Sequence, residues 1–151
     1  MTEGASGEIV LLPGLDGSGE LFERLARLLR PYLNVTVIRY PSDAKMTYAD
    51  YVRFVAERIG ARPVILLGES FSGPVAVLAA ATPGTNVRGL VLAATFVKSP
   101  WPGWLVRLAA YRVQPLASRP LLNWILMGRR RDPELSAKMK EVLSRLPPEV
   151  R

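Results

Sequence analysis

The sequence predicts a three-layer α/β sandwich with a short, mostly parallel sheet, followed by a helical C-terminal segment. Four short apolar runs, Glu8–Leu12, Val35–Ile38, Pro63–Leu67 and Gly89–Ala93, alternate with three segments of helical periodicity. Near-continuous apolar strands separated by helices indicate βαβ units with a parallel sheet covered on both faces. The chain has 151 residues, 49% of them hydrophobic, which is enough for one core. No strand pattern follows Ser99, where the composition changes.

The elements follow in order. The first strand is stopped by Pro13-Gly14, and a helix from Ser18 to about Leu33 is expected to bury Leu21, Leu25, Leu28 and Leu29 as one stripe. The second strand stops at Tyr40-Pro41. Thr47 can cap the next helix, whose buried side is Tyr51, Phe54, Val55 and Ile59, with Arg53, Glu57 and Arg58 outward. The third helix, Pro74–Ala81, is apolar almost all round, as an interior helix would be. The division expected is a core over residues 1–97 and a cap-like, basic, tryptophan-containing segment over 98–151. That segment holds all three tryptophans, the breakers Pro102, Pro115, Pro120 and Gly128, the run Arg129-Arg130-Arg131, and a last amphipathic helix from Asp132 to about Leu146.

Charge and composition narrow the function. The formal charge is +7, and all of the surplus falls in residues 98–151, with 11 basic against 4 acidic residues. Arginines spread at helical intervals fit a solvated face better than a nucleic-acid or anionic-membrane surface, so neither partner is expected. Without cysteine there is no disulfide framework, and the chain fits a reducing, cytoplasmic setting. The polar start, Met1–Glu8, lacks the order of a secretory signal, and no apolar run approaches the ~20 residues of a membrane span. With neither histidine nor cysteine, and no carboxylate pairing that stands out, neither metal nor cofactor is expected.

Chemistry is concentrated in Gly68-Glu69-Ser70-Phe71-Ser72-Gly73, between the third strand and third helix. A serine on a tight strand-to-helix turn exposes its hydroxyl above the sheet, and small residues two before and two after it keep strand and helix apart. Gly68 and Ser72 fill those places around Ser70, with Ser72 departing from the usual glycine. Leu12-Pro13-Gly14-Leu15-Asp16-Gly17-Ser18-Gly19 follows the first strand, so its amides can face the same sheet edge. The amides of Leu15 and Phe71 would then form a two-donor hole for a tetrahedral oxyanion, where losing one donor typically costs about 3–4 kcal/mol of barrier.

Over about residues 7–97 this order of elements resembles the N-terminal half of a small esterase or lipase of the α/β-hydrolase superfamily, a truncated α/β-hydrolase fold. The resemblance implies that Ser70 is the nucleophile, that Leu15 and Phe71 are the oxyanion donors, and that the tail from Trp101 is a helical cap lining an apolar acyl pocket. It implies hydrolysis of carboxylic esters of small or medium acyl chain. The family's acid and histidine follow on later strands, whereas this chain contains no histidine. Either the sequence is a truncated version of a longer enzyme or it works without the usual base, and a weak or inactive module that binds an apolar ligand is the alternative. Asp16 reads first as a ligand for the amides of its own turn, Glu69 as half of a structural ion pair, and Lys98 as a solvated lysine that could also serve as base. An unpaired edge at the fourth strand predicts a homo-oligomer.

Overall fold

The computed structural model describes residues 7–14, 16–42 and 46–95, together with residues 133, 137, 138, 141 and 142 of a C-terminal helix. The Trp101–Met127 segment and the Arg129–Arg131 run lie outside the described residues. The chain divides into two compact units, Met1–Lys98 and Ser99–Arg151.

In the first unit the elements run β1 (Glu8–Leu12), a 3₁₀ turn (Glu20–Phe22), α1 (Glu23–Leu29), β2 (Asn34–Val37), α2 (Tyr48–Ile59), β3 (Pro63–Glu69), α3 (Ser72–Ala80) and β4 (Asn86–Ala93). All three strand pairings are parallel, in the order β2-β1-β3-β4. Alternation along the strands splits the core into two layers. Ile9, Leu11 and Leu67 pack with Phe22 and Ala26 on the α1 face. Val10, Leu12, Val64 and Leu66 pack with Val55 and Ile59 of α2 and with Val75, Ala76 and Ala79 of α3 on the other. The expected three-layer α/β sandwich is thus present, with a short sheet whose four strands are all parallel.

Two helices differ from expectation. The first is not continuous from Ser18, because Gly19 is left-handed at φ 72° and a 3₁₀ turn precedes α1. The helix ends at Leu29; Leu28 is 63% exposed, whereas Leu25 and Leu29 pack as expected against a cluster that holds the buried Phe22 and Ala26. α3 starts two residues earlier than its apolar run, and its Leu78 is 51% exposed, so one side faces outward despite the uniform composition. α2 matches expectation. Thr47 accepts from the Asp50 amide and the Asp50 side chain accepts from the Thr47 amide, a reciprocal cap that fixes where the helix begins.

Leu66 lies at the centre of the larger core layer with no exposed surface. Leu66→Ala is expected to cost about 2–5 kcal/mol, read as a lowered urea midpoint at unchanged slope. A loss below about 1 kcal/mol would show that this layer does not carry the fold.

Candidate active site

β1 and β3 are neighbours, and Leu12 pairs with Gly68, so the segments leaving their C-terminal ends start side by side. The chain from β1 crosses to β2 through α1 on one face, and the chain from β3 crosses to β4 through α3 on the other. Where neighbouring strands send their connections to opposite sides a crevice opens beyond the strand ends, which is where open parallel sheets bind ligands. Pro13, Gly14, Asp16–Gly19 and Ser70 lie at that point.

Ser70 has φ 49°, a left-handed backbone rare for a residue with a side chain. Three bonds hold it there. Its amide donates to the Ala93 carbonyl at 3.0 Å, its carbonyl accepts from the Gly73 amide at 3.2 Å, and the Thr95 hydroxyl donates to the same carbonyl. Its hydroxyl has no hydrogen-bond partner among the described residues. Strand and helix approach closely around this turn at two glycines. A side chain at Gly68 would meet the Ser72 carbonyl at 2.7 Å and the Ala76 Cβ at 2.9 Å, as expected of that position. Gly73 is crowded as well, since a side chain there would overlap Thr95. Ser72 is fully buried, and its hydroxyl donates to the Pro13 carbonyl and lies 2.7 Å from the Tyr40 hydroxyl.

Of the other expected site residues, Phe71 directly precedes α3, so its amide belongs to the open N-terminal turn of that helix. Leu15 and Lys98 lie outside the described residues. Asp16 binds its own turn, accepting from the Ser18 amide at 3.1 Å and the Ser18 hydroxyl at 2.5 Å, as its place in a glycine-rich turn leads one to expect. Glu69 does not form the expected ion pair with any described residue. It is the last residue of β3, so its carboxyl meets the neighbouring first loop, where the nearby charge is another carboxylate, that of Asp16. Oε2 of Glu69, Oδ1 of Asp16 and Cβ of Ser70 all lie within 3.8 Å of the point a Gly14 side chain would occupy. Burial first, and then the Asp16 charge, push the Glu69 carboxyl above its ordinary value, against a smaller opposing effect of the Gly14 amide.

The sequence reading missed Tyr40, which it took only as the stop of the second strand. Tyr40 is buried, with its ring 4.7 Å from that of Tyr51 and 6.4 Å from that of Phe71. Tyr48 and Tyr51 also meet Phe71, at 5.0 and 5.1 Å, so an aromatic wall stands beside Ser70. Burial raises the Tyr40 phenol to about 12, so it stays protonated at neutral pH and acts as a hydrogen-bond donor rather than a base. The available signal was position: a tyrosine just past a strand's C-terminal end, on the sheet edge that carries the serine.

A carboxyl raised in the folded state binds its proton more tightly there than in the unfolded chain. The stability Glu69 contributes is therefore full below the ordinary glutamate value of 4.5 and lost as pH rises through the raised folded value. Glu69→Gln is expected to match wild type in acid and to gain stability over it as pH rises toward neutrality, read as melting temperature against pH. A gap that is constant, or that widens toward acid, would contradict this assignment.

The chain has the fold of several solved structures. It is similar to an esterase (EaEST) from Exiguobacterium antarcticum, at 17% identity and TM-score 0.70, with 98% of this chain and 64% of that one covered. A hydrolase from Oleispira antarctica matches at 15% identity and TM-score 0.70, covering 99% and 64%. The esterase RhEst1 from Rhodococcus sp. ECU1013 matches at 21% identity and TM-score 0.67, covering 98% and 64%. The chain thus spans a little under two thirds of the length of these structures. No curated protein matches it. The family model described as "Alpha/beta hydrolase family" matches residues 9–150, nearly the whole sequence, and with the parallel sheet and the serine turn already in place, the chain belongs to the alpha/beta hydrolase family.

Proposed function

We propose that this chain is a serine hydrolase that cleaves carboxylic esters of small or medium acyl chain through an acyl-enzyme on Ser70. The observation that carries the reading is the left-handed Ser70 backbone beyond the sheet, with its hydroxyl unclaimed among the described residues. Esterases among the structures of the same fold support the substrate class. The Ser70 Oγ adds to the ester carbonyl carbon while its proton passes to a base, and the amides of Phe71 and Leu15 take the negative oxygen. The alcohol leaves with a proton, and water then splits the acyl-Ser70 bond to release the acid and restore the hydroxyl. In a chain without histidine, hydroxide or a deprotonated Lys98 is the base of this proposal. No helix among the described residues is long and apolar enough to cross a membrane. The cysteine-free composition supports a cytoplasmic setting.

A fluorophosphonate probe is expected to label the wild type at one site, with Ser70→Ala abolishing labelling. Equal labelling of both proteins would remove Ser70 from the mechanism. Slow turnover would not, since the oxyanion donors and substrate binding alone leave about 10³–10⁴-fold catalysis over water.

A second reading is a weak or inactive module that binds an apolar ligand or assembles with its own copies. Its structural support is β4, an edge strand on which Leu90, Val91 and Leu92 are 41%, 43% and 42% exposed. Light scattering at micromolar concentration is expected to give a dimer or larger mass, reduced by Val91→Lys. A stable wild-type monomer mass would end the self-assembly reading.

A further inference from the structure

Ser72 has no role in the acyl-transfer scheme, yet it is the buried polar residue of the described fold and touches two other segments. Proton counting fixes the direction of its bonds. A hydroxyl has one proton, and the Pro13 carbonyl can only accept, so the Ser72 proton goes to Pro13 and the Tyr40 hydroxyl must be the donor to Ser72. Both side chains are then satisfied, which their burial requires.

This relay and the Tyr40 backbone together grip the first loop on two sides. At its start, Ser72 holds the Pro13 carbonyl. At the far side, the Tyr40 amide donates to the Gly17 carbonyl at 2.9 Å, and the Gly17 amide closes the turn onto the Gly14 carbonyl at 3.1 Å. The same two residues, Tyr40 and Ser72, therefore hold the turn at Pro13 and at Gly17. The Pro13–Gly14 peptide is trans, so its N–H points opposite to its carbonyl. A carbonyl drawn toward Ser72 turns the Gly14 amide away from Ser72, to the side on which that amide acts on the Glu69 carboxyl. Gly14 itself lies against Ser70, since a side chain added there would meet the Ser70 Cβ at 3.6 Å.

We propose that Ser72 and Tyr40 are positioning residues, and that the buried Tyr40–Ser72–Pro13 relay sets how the first-loop peptides face Ser70 and hence how fast Ser70 reacts. This rests on the reading of Ser70 as nucleophile. It also gives a use to the serine that stands where the family's pattern has glycine: a hydroxyl there replaces conformational freedom with a hydrogen bond to the neighbouring loop.

The test uses the full chain with Ser72→Ala, which removes the bond to Pro13, and Tyr40→Phe, which keeps that bond and removes only its donor. Fluorophosphonate labelling is followed well below each variant's melting temperature, resolving the maximal rate from the probe's binding constant. The Pro13 carbonyl and Gly14 amide resonances are compared by NMR. Ser72→Ala is expected to lower the maximal labelling rate by about 10²-fold, the effect of a misplacement near 1 Å, with the binding constant little changed and both resonances shifted. Tyr40→Phe is expected to do the same by a smaller factor. Variants that melt earlier but label at the wild-type rate would overturn the proposal and leave the relay a purely structural contact. If the wild type itself fails to label, the Ser70 reading falls and the resonances decide the relay alone: shifts in Ser72→Ala support it, and unshifted resonances overturn it. Should Ser72→Ala fail to fold, unchanged rate and resonances in Tyr40→Phe would overturn it equally.

Discussion

A left-handed backbone at a residue with a side chain costs on the order of 1–3 kcal/mol and persists only where the surroundings over-determine it. Ser70 is such a residue, and its constraints come from three directions. The end of β4 takes its amide, Thr95 holds its carbonyl, and the bare backbones of Gly68 and Gly73 let strand and helix close around it. β4 and the segment after it therefore have a task beyond covering β3. They anchor the turn that carries the hydroxyl, and the sheet supplies the rigid body against which that turn is bent.

The sheet order places the site. With β1 between β2 and β3, the connections diverge only between the C-terminal ends of β1 and β3, and both glycine-bearing loops meet there. Two kinds of wall then differ in character. On one side stands the aromatic group of Tyr40, Tyr48, Tyr51 and Phe71, suited to apolar contact. On the other the carboxyls of Glu69 and Asp16 converge, so the crevice is asymmetric in polarity. The opposite end of the sheet is closed by polar contacts: Glu8 accepts from Arg62 at 2.7 Å and from Thr36 at 3.0 Å.

Much of the fold was legible because its signals are local. Continuous apolar runs gave four strands, Thr47 with Asp50 marked the start of α2, and the glycines marked both loops at the site. What escaped the sequence depends on contacts between distant segments. The spacing rule pointed to residue 72 as the second small position and gave no sign that Gly73 is crowded too, because Thr95, 22 residues on, leans against it. On the first helix Leu25 and Leu29 pack against the core as expected, but Leu28 is exposed and the deepest burial falls on Phe22 and Ala26, outside the expected stripe. Among the described residues Glu69 has no cation beside it, because parallel pairing sets it next to the first loop, a neighbour no local pattern reveals. The Tyr40–Ser72 bond joins residues 32 apart and had no trace in periodicity.

The order of the strands also bears on how the chain reaches this state as it is synthesised. β1 can pair early with β2, since residue 8 meets residue 34, but its other edge waits for β3, where residue 8 meets residue 64. Until then the face formed by Val10 and Leu12 has none of its later partners from β3 and α3. Closing a loop of that length before any contact rewards it makes parallel pairing slow, and the uncovered strand is then open to other chains. A nascent first half emerging from the ribosome would thus present a sticky, half-built sheet for the time needed to translate some thirty further residues, at about 5–20 residues per second. That interval is a point at which copies of the chain can associate before they fold, whatever the stability of the finished core.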